Sequence, residues 1–329
     1  MTTVPETLAP GVAAPRERVA ALVQSYGAAG VLVILLVVGS LVFPTFLSAS
    51  NFTNVATQSS FLLIIAIGMT FVILTGGIDL SVGSVYALGG VLAATGSSAG
   101  ILGALALPLV VCAVIGALQG ALVAYAKMAP FIVTLAGLLG IRGLVYAVTD
   151  GGSTTPLVED GATRALGSGG FLGLVWTTWI AAAMLVVAAV VLARTRSGQS
   201  VMAVGGSESA AGLMGLSVTR VHFGVYVFSA LCAGLAGALN AAYSSSGVPN
   251  VGVGLELSVI SAVVIGGTLL TGGRGNLVGT LAGVLLLMVI QNFINQVGSL
   301  TSSVQSVVSG VFLGIVVIVQ TLLSRAQRT

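Results

Sequence analysis

Apolar residues occupy most of the chain in long runs, and polar residues are concentrated in the short segments between those runs. Each run approaches the roughly 20 residues that a helix needs to cross the hydrocarbon core of a bilayer. The pattern therefore predicts an all-α polytopic membrane protein with about ten transmembrane helices, of which the third and eighth are short. The predicted spans are 27–43, 58–75, 82–97, 101–125, 130–148, 171–193, 221–242, 257–271, 277–297 and 304–323.

The overall composition supports a membrane protein. The 329 residues are 57% hydrophobic and only 6% charged, and the mean hydropathy is +1.14. A soluble domain of this size could not cover so apolar a surface with so few charges. The 46 glycines are typical of membrane helices that approach one another closely through small residues.

Basic residues predict the orientation of the spans, because they are enriched in cytoplasmic loops. With the amino terminus inside, nine of the eleven fall on the cytoplasmic side, only Arg164 falls outside, and Arg142 lies within a span. This distribution predicts an even number of spans and two cytoplasmic termini. The chain then divides into an N-terminal tail 1–26, a membrane region 27–323 and a C-terminal tail 324–329. The nine cytoplasmic residues are Arg16, Arg18, Lys127, Arg194, Arg196, Arg220, Arg274, Arg325 and Arg328.

The cytoplasmic loop 194–220 contains a short segment that favours a helix. Ser207 is placed to cap this helix, and Glu208 would lie in its first turn, where an acid is favourable for the helix dipole. The pattern predicts a short amphipathic helix that docks a partner. The candidate docking residues are Gly205, Gly206, Ser207, Glu208, Ala210, Ala211, Leu213 and Gly215.

Asp79 is an exception in this apolar chain, because a carboxylate at the centre of a bilayer costs roughly 2.5–3.5 kcal/mol on insertion scales. It lies between two apolar runs, where Gly76 and Gly77 allow the backbone to turn or break. In one interpretation, Asp79 or Ser81 caps the helix that begins near Val82. Whether or not this cap forms, the segment does something other than span lipid.

Arg142 is the second charged residue within an apolar region. About a dozen residues separate it from Pro130 at the inner boundary, which places it on the outer half of its span. It snorkels to the outer interface, pairs with a backbone carbonyl or an acid such as Glu256, or lines the entrance of a path. The sequence leaves these alternatives open.

Residue types required by common catalytic and metal sites are scarce. The single histidine, His222, excludes most Ser/His/Asp, Cys/His and metal-ligand constellations. Cys112 and Cys232 lie in separate apolar runs and are interpreted as small core residues. The only lysine, Lys127, is not part of a Walker A sequence, so this chain cannot hydrolyse ATP by that route. No metal or cofactor is expected on this chain.

Several motifs together resemble those of a known family. Gly68–Ser84 closely resembles the signature of ribose-type ABC importer permeases, and its Gly-Gly-Ile-Asp-Leu-Ser element is quite specific. The matches run in order from about residue 50 to residue 323. The further matching segments are Pro130–Leu135, Arg142–Tyr146, Gly205–Gly215, Val264–Thr268, Gly272–Asn276 and Gln291–Asn295.

The resemblance implies a permease subunit of a binding-protein-dependent sugar importer in the bacterial cytoplasmic membrane, which is not an enzyme. Two such subunits, identical or homologous, would work with a cytoplasmic ABC ATPase that binds ATP and Mg²⁺. A periplasmic or lipid-anchored binding protein would deliver the sugar. The docking residues of loop 194–220 would then contact the ATPase. The break at Gly76, Gly77, Asp79 and Ser81 would line the path or its cytoplasmic gate.

Uncharged polar residues in the spans suit a hydroxylated solute such as ribose or xylose. Asn240, Asn292 and Asn295 are candidates for the path, although polar side chains also simply join helices. Two other functions stay open. One is import of another polar solute such as a nucleoside. The other is ion-coupled secondary transport, for which Asp79 is the candidate acid.

Overall fold

The protein is almost entirely helical in the computed structural model, which describes the backbone of residues 15–297 and isolated positions 304, 307, 310, 311 and 314. A two-residue hairpin, β1 Gly170–Phe171 with β2 Leu174–Val175, is the only strand pair in that part of the chain. The helices are α1 Pro15–Val42, α2 Ala49–Leu74, α3 Val82–Gly96, α4 Gly100–Ala124, α5 Pro130–Ala147, α6 Gly161–Ser168, α7 Trp176–Arg194, α8 Arg196–Gly206, α9 Glu208–Leu213, α10 Val218–Ser244, α11 Leu255–Ile265 and α12 Leu277–Val297.

Six helical segments in the described ranges are long and apolar enough to cross a membrane. One of them, Val82–Ala124, is a hairpin, because α3 and α4 are joined by a turn at Ser97–Ala99 and pack against each other. Large apolar side chains such as Leu41, Leu118 and Val187 are exposed on α1, α4 and α7, which suits lipid rather than water. The chain is a multi-pass membrane protein. The other five segments are Ala49–Leu74, Pro130–Ala147, Trp176–Arg194, Val218–Ser244 and Leu277–Gln296.

The predicted spans and the helices differ mainly at their ends. The first helix begins at Pro15, so residues 15–26 of the predicted tail are helical. Helix α2 begins at Ala49 rather than near residue 58, because the hydroxyl of Ser48 caps a polar first turn that hydropathy alone does not recognise. The last predicted span, 304–323, and the tail 324–329 lie outside the continuously described residues.

Two further boundaries follow from local structure. Helix α7 begins at Trp176 rather than near residue 171, because the β1–β2 hairpin occupies the preceding residues. Helix α11 ends at Ile265 rather than near residue 271, since Gly267 adopts a left-handed backbone with φ of 92°. Between α5 and α7, Asp160 caps α6, and hydrogen bonds from Thr163 lower the pKa of its carboxyl.

Helix α2 forms the centre of the molecule. In the apolar stretch of α2, 94% of the residues are buried, whereas in those of α5 and α7 only 22% are buried. Helix α10 packs against α2, α3 and α4 through small residues, as is typical of membrane helices. A Cβ atom on Gly68 would lie 2.9 Å from the Cα atom of Ser229, and one on Gly89 would lie 2.8 Å from the Cα atom of Gly234. Cys112 and Cys232 are buried and unpaired, as predicted.

After α10 the chain doubles back along α3. Gly247 lies against Gly90 and Val91, and Gly252 lies against Gly83, so this segment runs toward the start of α3. Helix α11 begins just beyond it, and its 11 residues span about 16 Å, only part of a membrane crossing. Non-helical backbone at membrane depth needs protein partners for its polar groups. We call residues 245–254 the returning segment.

Candidate functional site

The chain turns sharply where α2 ends and α3 has not yet begun. The N–H of Gly77 donates to the carbonyl of Val72 at 3.1 Å, so the chain folds back along α2. Gly76 has a φ of 79°, a conformation that favours glycine. A Cβ atom on Gly77 would lie 2.5 Å from the hydroxyl oxygen of Tyr226. Both glycines are therefore required by the geometry of this break, which we define as residues 75–81.

Asp79 is fully buried at this break and is held by hydrogen bonds. Its Oδ1 accepts from the N–H of Ser81 at 3.0 Å and from the Ser81 hydroxyl at 2.7 Å. Its Oδ2 accepts from the hydroxyl of Ser229 on α10 at 2.8 Å. Buried charges persist only when such donors satisfy them. The carboxylate therefore ties the break to α10.

The prediction that Asp79 or Ser81 caps α3 is wrong in its specific form. Ser81 occupies the N-cap position of α3 but makes no side-chain cap bond, because its hydroxyl donates to Asp79. Asp79 in turn accepts the N–H of Ser81, which lies before the first turn of the helix. The interaction fixes the conformation of the break rather than the end of α3.

Two buried polar atoms beside this network have no hydrogen-bond partner among the described residues. They are Nε2 of Gln119 on α4 and the hydroxyl of Tyr226 on α10. Oε1 of Gln119 lies 3.2 Å from the hydroxyl of Ser81, so the amide reaches the Asp79 network from a third helix. Unpartnered buried polar atoms are uncommon in native proteins, and each calls for a physical explanation. These two groups beside the break are available to bond with the Asp79 network in a second conformation.

Two glycine pairs, distant from each other in sequence, meet at the end of α2. We call this cluster of Leu74, Gly205, Gly206, Gly272 and Gly273 the glycine junction. The N–H of Gly273 donates to the carbonyl of Leu74 at 2.9 Å. A Cβ atom on Gly205 would collide with that same carbonyl, and one on Gly273 would lie 2.8 Å from the Cα atom of Gly206. The break, the end of α8 and the α11–α12 loop thus touch backbone to backbone.

The predicted docking helix is present as α9 and follows α8 closely. The hydroxyl of Ser207 accepts from the N–H of Ala210 at 3.3 Å, and Glu208 lies in the first turn, as predicted. Oε1 of Glu208 lies 2.7 Å from Nε2 of His222, which ties α9 to α10. Ala211 is buried. The helix is therefore anchored on one side.

The other side of α9 is open. Leu213 is 91% exposed and Met214 is 71% exposed, and Ala210 is exposed beside them. Gly206 and Gly215 are also exposed, whereas Gly205 is half-buried at the glycine junction. An exposed apolar patch on an anchored helix is typical of a protein interface.

The polar residues proposed for the path lie on different helices. Asn292 on α12 exchanges amide hydrogen bonds with Asn51 on α2, at 2.6 and 3.3 Å, and so joins the two helices at the ends remote from the junction. Asn295 is exposed one turn further along α12. Asn240 is half-buried on α10. The hydrogen bonds described for Asp79 come instead from Ser81 and Ser229.

Arg142 pairs with backbone carbonyls, which was one of its three predicted roles. Its Nη1 donates to the carbonyl of Pro249 at 3.1 Å and to that of Val251 at 2.9 Å. These carbonyls belong to the returning segment. Arg142 therefore satisfies backbone groups that have no helical partner at membrane depth.

Comparison with known proteins matches residues 51–320 to a family described as branched-chain amino acid transport system / permease component. The chain belongs to this permease family. Ribose import permease protein RbsC of Bacillus subtilis is 41% identical over 289 residues, 87% of this chain and 89% of the relative. RbsC of Escherichia coli K12 is 39% identical over 292 residues, 88% and 91% of the two chains. L-arabinose transport system permease protein AraH of Escherichia coli K12 is 33% identical over 308 residues, 93% of each. No solved structure gives a significant match.

Membership of the permease family confirms the resemblance inferred from the motifs and the prediction of a transport subunit rather than an enzyme. The sequence reasoning missed three residues in or beside the Asp79 network. They are Gln119, Ser229 and the neighbouring Tyr226, each flanked by apolar residues in its helix. That isolation was the available signal, but it does not tell which helices meet.

Proposed function

We propose that this permease is the membrane-spanning subunit of an ATP-driven, binding-protein-dependent importer for a monosaccharide such as ribose or xylose. The proposal of a sugar is supported by relatives named for ribose and for L-arabinose. The uncharged polar groups of the helices suit a hydroxylated solute. The alternative solute, a nucleoside, is compared directly with sugars in the reconstitution experiment below.

We call the consecutive helices α8 and α9, Arg196–Leu213, the docking hairpin. The observation that carries the proposal is the contact between this hairpin and the end of α2 at the glycine junction. Because Gly205 meets Leu74 without an intervening side chain, a displacement of α8 acts directly on the end of α2. Gly76 and Asp79 follow within five residues. The helices proposed to bind the ATPase are thus in direct contact with the segment that contains the buried Asp79 network.

The junction end of the molecule is proposed to face the cytoplasm of a bacterial cell. Four arginines lie at helix ends or in a loop at this end, in agreement with the enrichment of basic residues on the cytoplasmic side: Arg194, Arg196, Arg220 and Arg274. The proposed arrangement has ten spans and two cytoplasmic termini in the inner membrane. The membrane region is 27–323, with tails 1–26 and 324–329 and the docking loop 194–220.

The proposed mechanism needs no catalytic group on this chain. A binding protein delivers sugar to the outer face, and ATP with Mg²⁺ acts on a separate ATPase bound at Leu213 and Met214. Movement of α8–α9 shifts the break through the glycine junction, and the Asp79 network exchanges partners between two packings of similar free energy. A second copy of the chain, or a homologous permease, is proposed to complete the path. Asn240, Asn292 and Asn295 are proposed as path residues.

Substitution of the docking surface tests the coupling step. We expect Leu213→Asp to reduce co-purification of the ATPase at least tenfold, because a carboxylate would be buried in an apolar interface. Leu172→Asp is the matched control, since Leu172 is 76% exposed in the β1–β2 hairpin, away from α9. Retention of the ATPase by Leu213→Asp would contradict the docking assignment, provided that both variants insert into the membrane.

Reconstitution tests the transport class and the solute. Liposomes containing the permease, its ATPase and its binding protein should accumulate radiolabelled sugar only when ATP is supplied. Ribose, xylose, L-arabinose and a nucleoside are compared at equal concentration. Uptake driven by an ion gradient in the absence of the ATPase would instead establish a secondary transporter, and nucleoside uptake alone would replace the sugar.

A further inference from the structure

An apolar cleft lies between α7 and α10, with Phe71 of α2 at its base. Its volume is about 780 Å³, which is within the roughly 300–1,000 Å³ of typical small-molecule sites. Ala183 and Val187 line it and are exposed on the lipid-facing surface of α7, so the cleft opens sideways. The remaining apolar walls include Met184, Val191, Val221 and Phe228.

The mouth of the cleft carries two positive charges without counter-ions. Arg196 begins α8 and Arg220 lies in the first turn of α10, and both are exposed. Neither forms an ion pair with any described residue, where the single ion pair is His222 with Glu208. No aspartate or glutamate among the described residues lines the cleft. The mouth is therefore complementary to an anion.

Two helix ends strengthen this complementarity. Helices α8 and α10 both begin at the mouth, and the partial positive charge of a helix N-terminus favours an anionic group. The N-cap residue of α10, Ser217, makes no side-chain cap bond, and both Ser217 and Ser197 line the cleft. The lining of the mouth thus combines two guanidinium groups, two serines and the starts of two helices.

We propose that this cleft binds an anionic phospholipid of the cytoplasmic leaflet, with an acyl chain between α7 and α10 and the phosphate at Arg196 and Arg220. A lateral apolar cleft joined to a basic mouth matches a molecule with a long apolar tail and an anionic head. Basic pockets between membrane helices on the cytoplasmic side bind such headgroups. The choice of leaflet rests on the orientation in the proposed function.

The site would connect the lipid to the docking hairpin. Arg196 is the first residue of α8, which ends at Gly206 in the glycine junction. A phosphate bound between Arg196 and Arg220 would hold the start of α8 close to the start of α10. The lipid would thereby fix the position of the element proposed to receive the ATPase.

Lipid retention tests this proposal without sugar or ATP. The full-length permease is reconstituted in equimolar dioleoyl phosphatidylcholine and dioleoyl phosphatidylglycerol, re-extracted in mild detergent, and its retained lipids are quantified by mass spectrometry. We expect phosphatidylglycerol to be enriched on the order of tenfold over the bulk ratio. The double variant Arg196→Gln/Arg220→Gln should lose this enrichment, and Arg196→Lys/Arg220→Lys should keep part of it.

Arg194→Gln is the matched charge control, because Arg194 is exposed at the end of α7 but does not line the cleft. Gly224→Leu tests the apolar part, since Gly224 lines the cleft and a Cβ atom there meets no atom within 4 Å. It should reduce the retained lipid, whereas Gly30→Leu, at an equally open position on α1, should not. Elution as a single monodisperse peak establishes that each variant is folded.

Four outcomes would overturn the assignment of the cleft to an anionic lipid. Equal retention of both lipids would show that the cleft does not select an anionic headgroup. An equal loss of enrichment in Arg194→Gln would attribute the enrichment to diffuse surface charge. A disulfide between cysteines placed at residue 224 and within 304–323 would assign the cleft to the chain's own last apolar segment. A disulfide between two copies at residue 224 would assign it to a dimer. Labelling of a cysteine at Ser200 only from outside would reverse the leaflet and refute the proposed orientation, independently of the lipid result.

Discussion

The two ends of helix α2 are joined to the rest of the molecule in different ways. At Leu74 the contacts are made by backbone atoms of glycines, with a hydrogen bond of 2.9 Å from Gly273 and no side chain between the segments. At the other end, Asn51 reaches α12 through a pair of amide side chains. A third contact, away from α2, also uses a side chain: the guanidinium of Arg142 donates to carbonyls of the returning segment.

This difference indicates where the fold tolerates movement. Backbone contacts between glycines cannot lengthen without separating the chains, so they transmit displacement between the segments they join. Contacts through long or amide side chains can change rotamer while the backbones stay in place. We therefore expect substitutions at the junction end to be severe and all-or-none, and those at the other contacts to be graded.

The largest effect is expected for Gly205→Val. The new side chain would collide with the carbonyl oxygen of Leu74, and the colliding atom is backbone, which cannot move aside by changing rotamer. We expect a loss of about 3 kcal/mol or more in the free energy of unfolding, at or above the top of the usual overpacking range. Thermal unfolding in detergent measures the loss, and uptake in liposomes should fall to background.

The neighbouring residue provides the control for this substitution. A Cβ atom on Gly206 meets nothing within 4 Å. The free energy of unfolding of Gly206→Ala should therefore lie within about 1 kcal/mol of that of the parent protein. A tolerated Gly205→Val, or an equally damaging Gly206→Ala, would refute the backbone contact as the cause.

Asp79→Ala should have the next largest effect. It would leave the N–H of Ser81 and the hydroxyl of Ser229 without their acceptor, and the Ser81 hydroxyl with only the longer contact of 3.2 Å to Oε1 of Gln119. We expect destabilisation of about 2–3 kcal/mol in thermal unfolding, with a smaller loss for Asp79→Asn, which keeps one acceptor oxygen. A stabilised Asp79→Ala protein would mean that burying the charge costs more than its hydrogen bonds return.

Arg142→Met should loosen only the returning segment. The carbonyls of Pro249 and Val251 would lose their donor, at a cost of about 1–2 kcal/mol. Hydrogen exchange should accelerate in residues 245–254 and stay unchanged in residues 269–276. Arg142→Lys should restore part of the protection, because an ammonium can still donate to a carbonyl. Equal acceleration of exchange in both segments would contradict the expectation that losing Arg142 loosens the returning segment alone.

The smallest effect is expected for the hydrogen bonds that join α2 and α12. Asn51 with Asn292 lies at one end of this helix pair, and Thr70 with Thr280, at 3.0 Å, lies near the junction. Double-mutant cycles with leucine at the asparagines and valine at the threonines should give couplings of about 0.6 kcal/mol, as for polar contacts in other membrane proteins. A coupling above about 2 kcal/mol for the asparagine pair would make that end as rigid as the junction.

Much of the local structure could be predicted from sequence. Helical spans follow from apolar runs, and the cap of α9 follows from Ser207 followed by Glu208. Even the carbonyl partners of Arg142 were among its predicted roles, because a buried guanidinium must donate to something. The start of α2 was misplaced because hydropathy does not recognise a capped polar turn, and the short α11 was overextended across Gly266 and Gly267.

The sequence by itself determined that this chain spans a membrane, that residues 75–81 interrupt the helices, and that a short capped helix follows Ser207. These features depend on hydropathy and on interactions between residues close in sequence. Only the tertiary structure decided that Gly205 and Gly273 meet Leu74, and that Ser229 and Gln119 reach the Asp79 network. Contacts between segments that are distant in sequence depend on how the helices pack. No local pattern specifies which glycine faces which.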